Sequence, residues 1–165
     1  MPTLYLIRHG IADEPELHRT DEERALTKEG DRKTRKVAQK LLDMGVSFDL
    51  ILTSPLVRAR QTAEILQATG LGKQLEESEI LAPAGQITQW LDWYYSSESN
   101  QQKTIALVGH QPNLGNWAEI LVWGEARGVL VVKKAGVIGL TLPEQDSPVG
   151  NSQLFCLTPP KFLLS

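Results

Sequence analysis

Short runs of Val, Ile and Leu recur at residues 4–7, 50–52 and 105–108, each closed by a Gly or Ser turn signal and followed by a stretch of helical periodicity. Strands buried on both faces read as continuous apolar runs, and their alternation with helices predicts a parallel sheet covered by helices. After Thr27, a good N-cap residue, the apolar positions Val37, Ala38, Leu41 and Leu42 return at helical spacing until Gly45, which predicts a helix over residues 27–44. Ser54 followed by Pro55 offers an N-cap with proline at the first helical position. Ala59, Thr62, Ala63 and Leu66 then make one inward stripe, and Gly70 ends it. Residues 86–98, with Ile87, Trp90, Leu91 and Tyr94 on one face, and residues 112–123, with proline near the start, predict two more helices.

Beyond Gly128 the chain becomes β-branched and glycine-punctuated. Residues 129–132, 137–142 and 154–157 are strand candidates around a polar turn at 143–152, and they add to the edge of the sheet, where antiparallel pairing is open to them. The predicted fold class is α/β: a three-layer α/β/α sandwich with a mostly parallel central sheet and C-terminal edge strands. Trp117 and Trp123 are assigned to the core.

Composition narrows the function classes. The 165 residues, 41% of them hydrophobic, suit one domain over 1–165 with a core of its own. Acidic residues outnumber basic ones by 20 to 17 and no polybasic run occurs, which argues against nucleic-acid binding. The single Cys156 excludes an internal disulfide and a cysteine-based zinc cluster. No signal-peptide pattern or long apolar span is present, so the expectation is a cytoplasmic protein with no membrane contact.

In an open α/β sheet, ligands bind in the crevice beyond the carboxyl ends of the strands. Three strands end there in polar groups. The first delivers Arg8-His9-Gly10, the second passes through Thr53-Ser54-Pro55 into a helix carrying Arg58 in its first turn, and the third delivers Gly109-His110-Gln111. A guanidinium grips phosphate oxygens in a two-point fork, and a helix N-terminus adds N–H groups and a positive dipole end. Arg58 suits this pocket better than Arg60, because two residues of helix turn a side chain about 200° around the axis. The glycines beside both histidines let an anion approach the backbone. Taken singly, each group has a plainer reading: a strand-terminal histidine is more often structural, Ser54 caps a helix, and "DEPELHRTDEER" with His18 is a solvated loop. Their convergence on one sheet edge favours a phosphate site. Two histidines flanked by arginines are too few ligands, with too much positive charge, for a metal.

"LIRHG", "TSPLVRARQTAEIL" and "LVGHQPNL", in this order, resemble the histidine phosphatase superfamily, and the short chain with "ALTKEG" and "LAPAGQ" is most similar to its SixA-type phosphohistidine phosphatases. The resemblance implies a phosphoglycerate-mutase-like fold and a phosphorylated histidine intermediate at His9. It places Arg8, Arg58 and His110 around the phosphate as catalytic and binding groups, with Gly10 and Gln111 also in the substrate site. It implies a metal-independent phosphatase without a cofactor, monomeric or weakly dimeric, acting on a phosphorylated protein such as a histidine phosphotransfer domain.

The chemistry of these residues refines that picture. Neighbouring Arg8 and Arg58 should keep His9 neutral, and a backbone carbonyl should fix its tautomer. His110 should donate to a phosphoryl oxygen, and a bound dianion would favour its protonated form. Many superfamily members carry an acid near Leu81-Ala82-Pro83-Ala84-Gly85 to protonate the leaving oxygen. No carboxylate stands there, although Glu79, in the strand expected just before, and Asp13 or Glu14 are substitutes. Without an acid, imidazole leaves more readily than an alkoxide, which favours P–N over P–O cleavage. The alternatives are a small-molecule phosphomonoesterase of the same superfamily and a catalytically silent phosphate-binding module.

Overall fold

The computed structural model describes residues 2–18 and 20–165. Six strands form one sheet: β1 (Thr3–Arg8), β2 (Leu50–Thr53), β3 (Leu75–Glu77), β4 (Thr104–Gly109), β5 (Val137–Thr141) and β6 (Gln153–Thr158), in the order β3-β2-β4-β1-β5-β6. The first four in that order run parallel. β5 is antiparallel to β1, and β6 to β5. Among the described residues five α-helices accompany them: α1 (Lys28–Asp43), α2 (Val57–Thr69), α3 (Ile87–Tyr95), α4 (Asn113–Trp123) and the short α5 (Pro160–Leu163).

Strand periodicity divides the core in two. Leu4 and Leu6 of β1, with Leu50, Ile105 and Leu107, pack against Trp90 and Tyr94 of α3 and Trp117 and Leu121 of α4. Ile7, Ile51, Ala106 and Val108 face the other way, against Val37 and Leu41 of α1 and Ala63 and Leu66 of α2. Each large side chain so buried contributes about 1.5–3 kcal/mol of hydrophobic stabilisation. The three-layer α/β/α sandwich is therefore present, with its C-terminal strands antiparallel.

Four details differ from the sequence reading. Residues 129–132 alternate like a strand, with Val129 and Val131 exposed and Val132 buried, yet they pair with no neighbour. Two of their amides go elsewhere: the buried carboxylate of Glu119 accepts from the backbone N–H of Val129 (3.0 Å) and Leu130 (3.0 Å), and from that of Arg127 just before (2.5 Å), so the segment is a strap tied to α4. α2 begins at Val57, not beside Ser54, because Leu56 is its extended N-cap residue. Glu79 lies in a single 3-10 turn after β3, not in a strand. Trp117 is core, but Trp123 is 44% exposed under the guanidinium of Arg127.

Candidate active site

Because β1, β2 and β4 are parallel, the residues that follow them emerge at one edge. Backbone bonds lock the ends together: His9 N–H donates to the Gly109 carbonyl (3.1 Å) and Ser54 N–H to the Val108 carbonyl (2.9 Å). The buried amide of Ala135 reaches the carbonyls of both Arg8 and His9 at 3.1 Å. Ala135 adopts φ 60°, a left-handed conformation uncommon for a residue with a Cβ, so the strap is bent to brace the Arg8-His9 corner.

His9 is 6% exposed, with Nδ1 2.7 Å from the Gly10 carbonyl. A carbonyl only accepts, so the ring proton sits on Nδ1 and the lone pair on Nε2. Arg58 Nε donates toward that lone pair at 3.4 Å. The pKa is lowered to about 3, first by burial, against a raising contribution from the Gly10 bond, and then by the charges of His110, Arg58 and Arg8. His9 is thus neutral at physiological pH, as its neighbours suggested, but desolvation contributes more than the arginines.

Arg58, 5% exposed, is held from both ends. Its NH1 donates to the Asp21 carbonyl (2.8 Å) and its NH2 to the Asp21 carboxylate (3.0 Å). Thr62, one turn on, donates to the Arg58 carbonyl (2.8 Å) and accepts the Gly10 amide (3.0 Å), coupling α2 to the loop after β1. Arg8 NH1 donates to the Val132 carbonyl at 3.2 Å, and its buried Nε has no protein partner. Burial and then Arg58 lower the Arg8 pKa.

His110 is 4% exposed and 5.2 Å from His9 between ring centroids. Its Nε2 lies 2.8 Å from the hydroxyl of Ser54, which already accepts the Leu56 amide (3.2 Å), while Nδ1 is buried without a partner. Burial, then Arg58 and Arg8, with Asp21 opposing, bring its pKa to about 4.

These groups open into a cavity of about 520 Å³ lined by Arg8, His9, Arg58 and His110 together with Asp21, Arg24 and Lys134. Among the described residues four cationic side chains stand against one carboxylate, a balance suited to a phosphoryl dianion. Gln111 lines the cavity, but its side chain is committed to the Leu130 carbonyl (3.2 Å) and the Gly115 amide (3.2 Å). Gly10 does not line it. Its amide and carbonyl serve Thr62 and His9, and a Cβ there would meet Thr34, Leu26 (3.2 Å) and the Gly30 carbonyl (3.3 Å), so glycine is needed for the packing of α1 and not for anion approach.

Asp13 pairs with His18 at 2.9 Å, and neither they, Glu14 nor Glu79 reach the cavity. Arg60 faces Glu64 (3.3 Å) and Glu77 (3.4 Å) outside it. Asp21 and Arg24 do reach it, from a segment that reads as a solvated loop, and so does Lys134. Ser54 supports His110 instead of capping α2. Among the described residues no three His, Cys, Asp or Glu side chains gather as a metal site would require.

Comparison with known proteins fits this geometry. The model of the histidine phosphatase superfamily (branch 1) matches residues 4–82. An uncharacterised protein of Picosynechococcus sp. is 44% identical over 162 residues, covering 98% of both chains. The protein histidine phosphatase SixA complexed with tungstate superimposes with a TM-score of 0.85 at 24% identity, covering 98% of this chain and 99% of that one. A phosphoserine phosphatase from Entamoeba histolytica, in complex with phosphoserine, gives 0.69 at 21% identity over 99% and 100%.

Proposed function

The chain belongs to the histidine phosphatase superfamily (branch 1), and we propose that it hydrolyses phosphohistidine on a protein through a phosphorylated His9. The substrate ring reacts with a proton on its unphosphorylated nitrogen: the lone pair of His9 Nε2 attacks phosphorus, the P–N bond breaks, and the ring keeps the bonding pair and that proton and departs as neutral imidazole. Water then attacks phosphorylated His9, releasing inorganic phosphate and restoring the neutral ring. Arg8 and Arg58 hold the non-bridging oxygens. His110, whose Nε2 is taken by Ser54, has Nδ1 left to serve the phosphoryl group. The Ser54 hydroxyl donates to Nε2 and thereby keeps a proton on Nδ1, making it a donor to the charge that grows in the transition state.

One observation carries the substrate choice. The carboxylate lining the cavity, Asp21, has its pKa lowered, first by the hydrogen bond from Arg24, against desolvation, and then by Arg58. An ionised carboxylate is a poor proton donor, so the site is ill equipped to expel an alkoxide and adequate for imidazole. The tungstate complex of SixA supports an oxyanion in a pocket of this fold. The phosphoserine complex of a neighbouring fold supports the rival reading, a small-molecule phosphomonoesterase. Parallel kcat/KM measurements on a phosphohistidine peptide, phosphoramidate and phosphoserine decide between them. The expected order places both P–N substrates first, and a preference for phosphoserine would overturn the assignment.

A further inference from the structure

A second cavity, of about 760 Å³, adjoins the first and shares Arg8 and Lys134 with it. Its walls add Lys33 from α1, Lys133 from the strap, and Lys161 with Phe162 from α5. Among the described residues five cationic side chains and no carboxylate line it, in a chain whose formal charge is -3. Among the described residues none of its four lysines lies within ion-pair distance of a carboxylate. Phe162 is 70% exposed, so the lysines surround an uncovered aromatic ring. Lys36 and Lys40 continue the basic face along α1 at three- and four-residue spacing. Chemistry inside the phosphate pocket does not require this segregation of charge.

We propose that this groove is a docking surface for an acidic, partly apolar face of the phosphohistidine-bearing protein. The inference rests on the substrate reading above and deepens it. Charge complementarity selects the partner: carboxylates meet Lys33, Lys133 and Lys161, and an aliphatic side chain covers Phe162. Continuity with the catalytic cavity supplies the geometry, because a protein seated on the groove extends past Arg8 and Lys134 into the phosphate site. A free phosphorylated small molecule that fills the first cavity has no use for the second.

The test uses two 15-residue peptides, each with one phosphohistidine, flanked in one by Glu and Leu and in the other by Gln and Leu, with phosphoramidate as a probe too small to span the groove. At low ionic strength the wild-type kcat/KM should favour the acidic peptide by about tenfold, and the advantage should shrink toward unity near 1 M salt, where the Debye length is about 3 Å. The K33E/K161E variant, or K33Q/K161Q if the reversal perturbs folding, should erase that advantage and leave phosphoramidate turnover unchanged. F162A should weaken both peptides and leave phosphoramidate turnover unchanged. Equal rates for the two peptides, or an advantage that survives both lysine variants, would overturn the proposal. Fluorescence anisotropy with the unphosphorylated peptides separates the two claims. If no P–N substrate turns over, preferential binding of the acidic peptide that depends on Lys33 and Lys161 still supports the groove, and equal binding refutes it. Lysine-dependent sedimentation with phosphatidylserine vesicles, without peptide preference, would assign the surface to a membrane and overturn the protein partner.

Discussion

Acidification tests whether His9 is buried as a neutral base. In the unfolded chain its imidazole titrates near 6.5, and in the folded protein at about 3. As the pH falls, the unfolded state takes up the proton first. The stability due to neutral burial is therefore complete above about pH 6.5 and is lost as the pH falls toward the folded value. Between pH 7 and 4.5 the loss from His9 amounts to about 2.5 kcal/mol at roughly 1.4 kcal/mol per unit, and His110, lowered to about 4, loses a similar amount. His9→Asn preserves a donor toward the Gly10 carbonyl but cannot titrate, so it should lose about 2.5 kcal/mol less than wild type over the same interval. Urea unfolding followed through the four tryptophans at half-unit pH steps resolves this. With a urea m-value near 2 kcal/mol/M, the two midpoint curves should diverge by about 1 M between pH 7 and 4.5. Parallel curves would refute the argument, because they would mean that His9 binds its proton equally well in both states.

Ser54→Ala removes the partner of His110 Nε2, a buried hydrogen bond worth about 1–3 kcal/mol, and should lower kcat about tenfold to a hundredfold. Steady-state kinetics should show phosphate inhibition changed far less, because both arginines remain. Gly30→Ala puts a Cβ into the Ile11 carbonyl at the entry to α1, and a thermal melt should show a loss of about 1–3 kcal/mol, or several degrees in Tm. Glu119→Gln replaces an acceptor of three amides with a group that also donates, freeing the strap that holds the Val132 carbonyl against Arg8. Hydrogen exchange of residues 127–132 should speed up and KM should rise; unchanged exchange would remove Glu119 from that role.

Much of the fold is legible in the chain because its strands are continuous apolar runs and two of its helices carry clear stop signals at Gly45 and Gly70. The Arg8, His9, Arg58 and His110 cluster is legible because parallel strands must deliver their ends to one edge. Other parts depend on contacts that local sequence does not encode. Asp21 stands in an acidic run that reads as solvated, since its partner Arg58 lies 37 residues away. Residues 129–132 carry strand-like alternation, but the competing acceptor for their amides is a carboxylate on α4. Ser54 precedes a proline in a pattern that fits an N-cap, and only the fold puts His110 beside its hydroxyl. The basic groove draws one lysine from α1, the pair Lys133-Lys134 from the strap and one from α5, so no long charge run announces it.

The central claim is that His9 Nε2 takes the phosphoryl group, and rapid-quench trapping with a ³²P-labelled P–N substrate tests it most directly. Acid-labile, base-stable label should appear before phosphate release and map to His9 by peptide mass analysis, while His9→Ala should bind phosphate yet acquire no label. Steady turnover without any labelled enzyme, or label on another residue, would contradict the account.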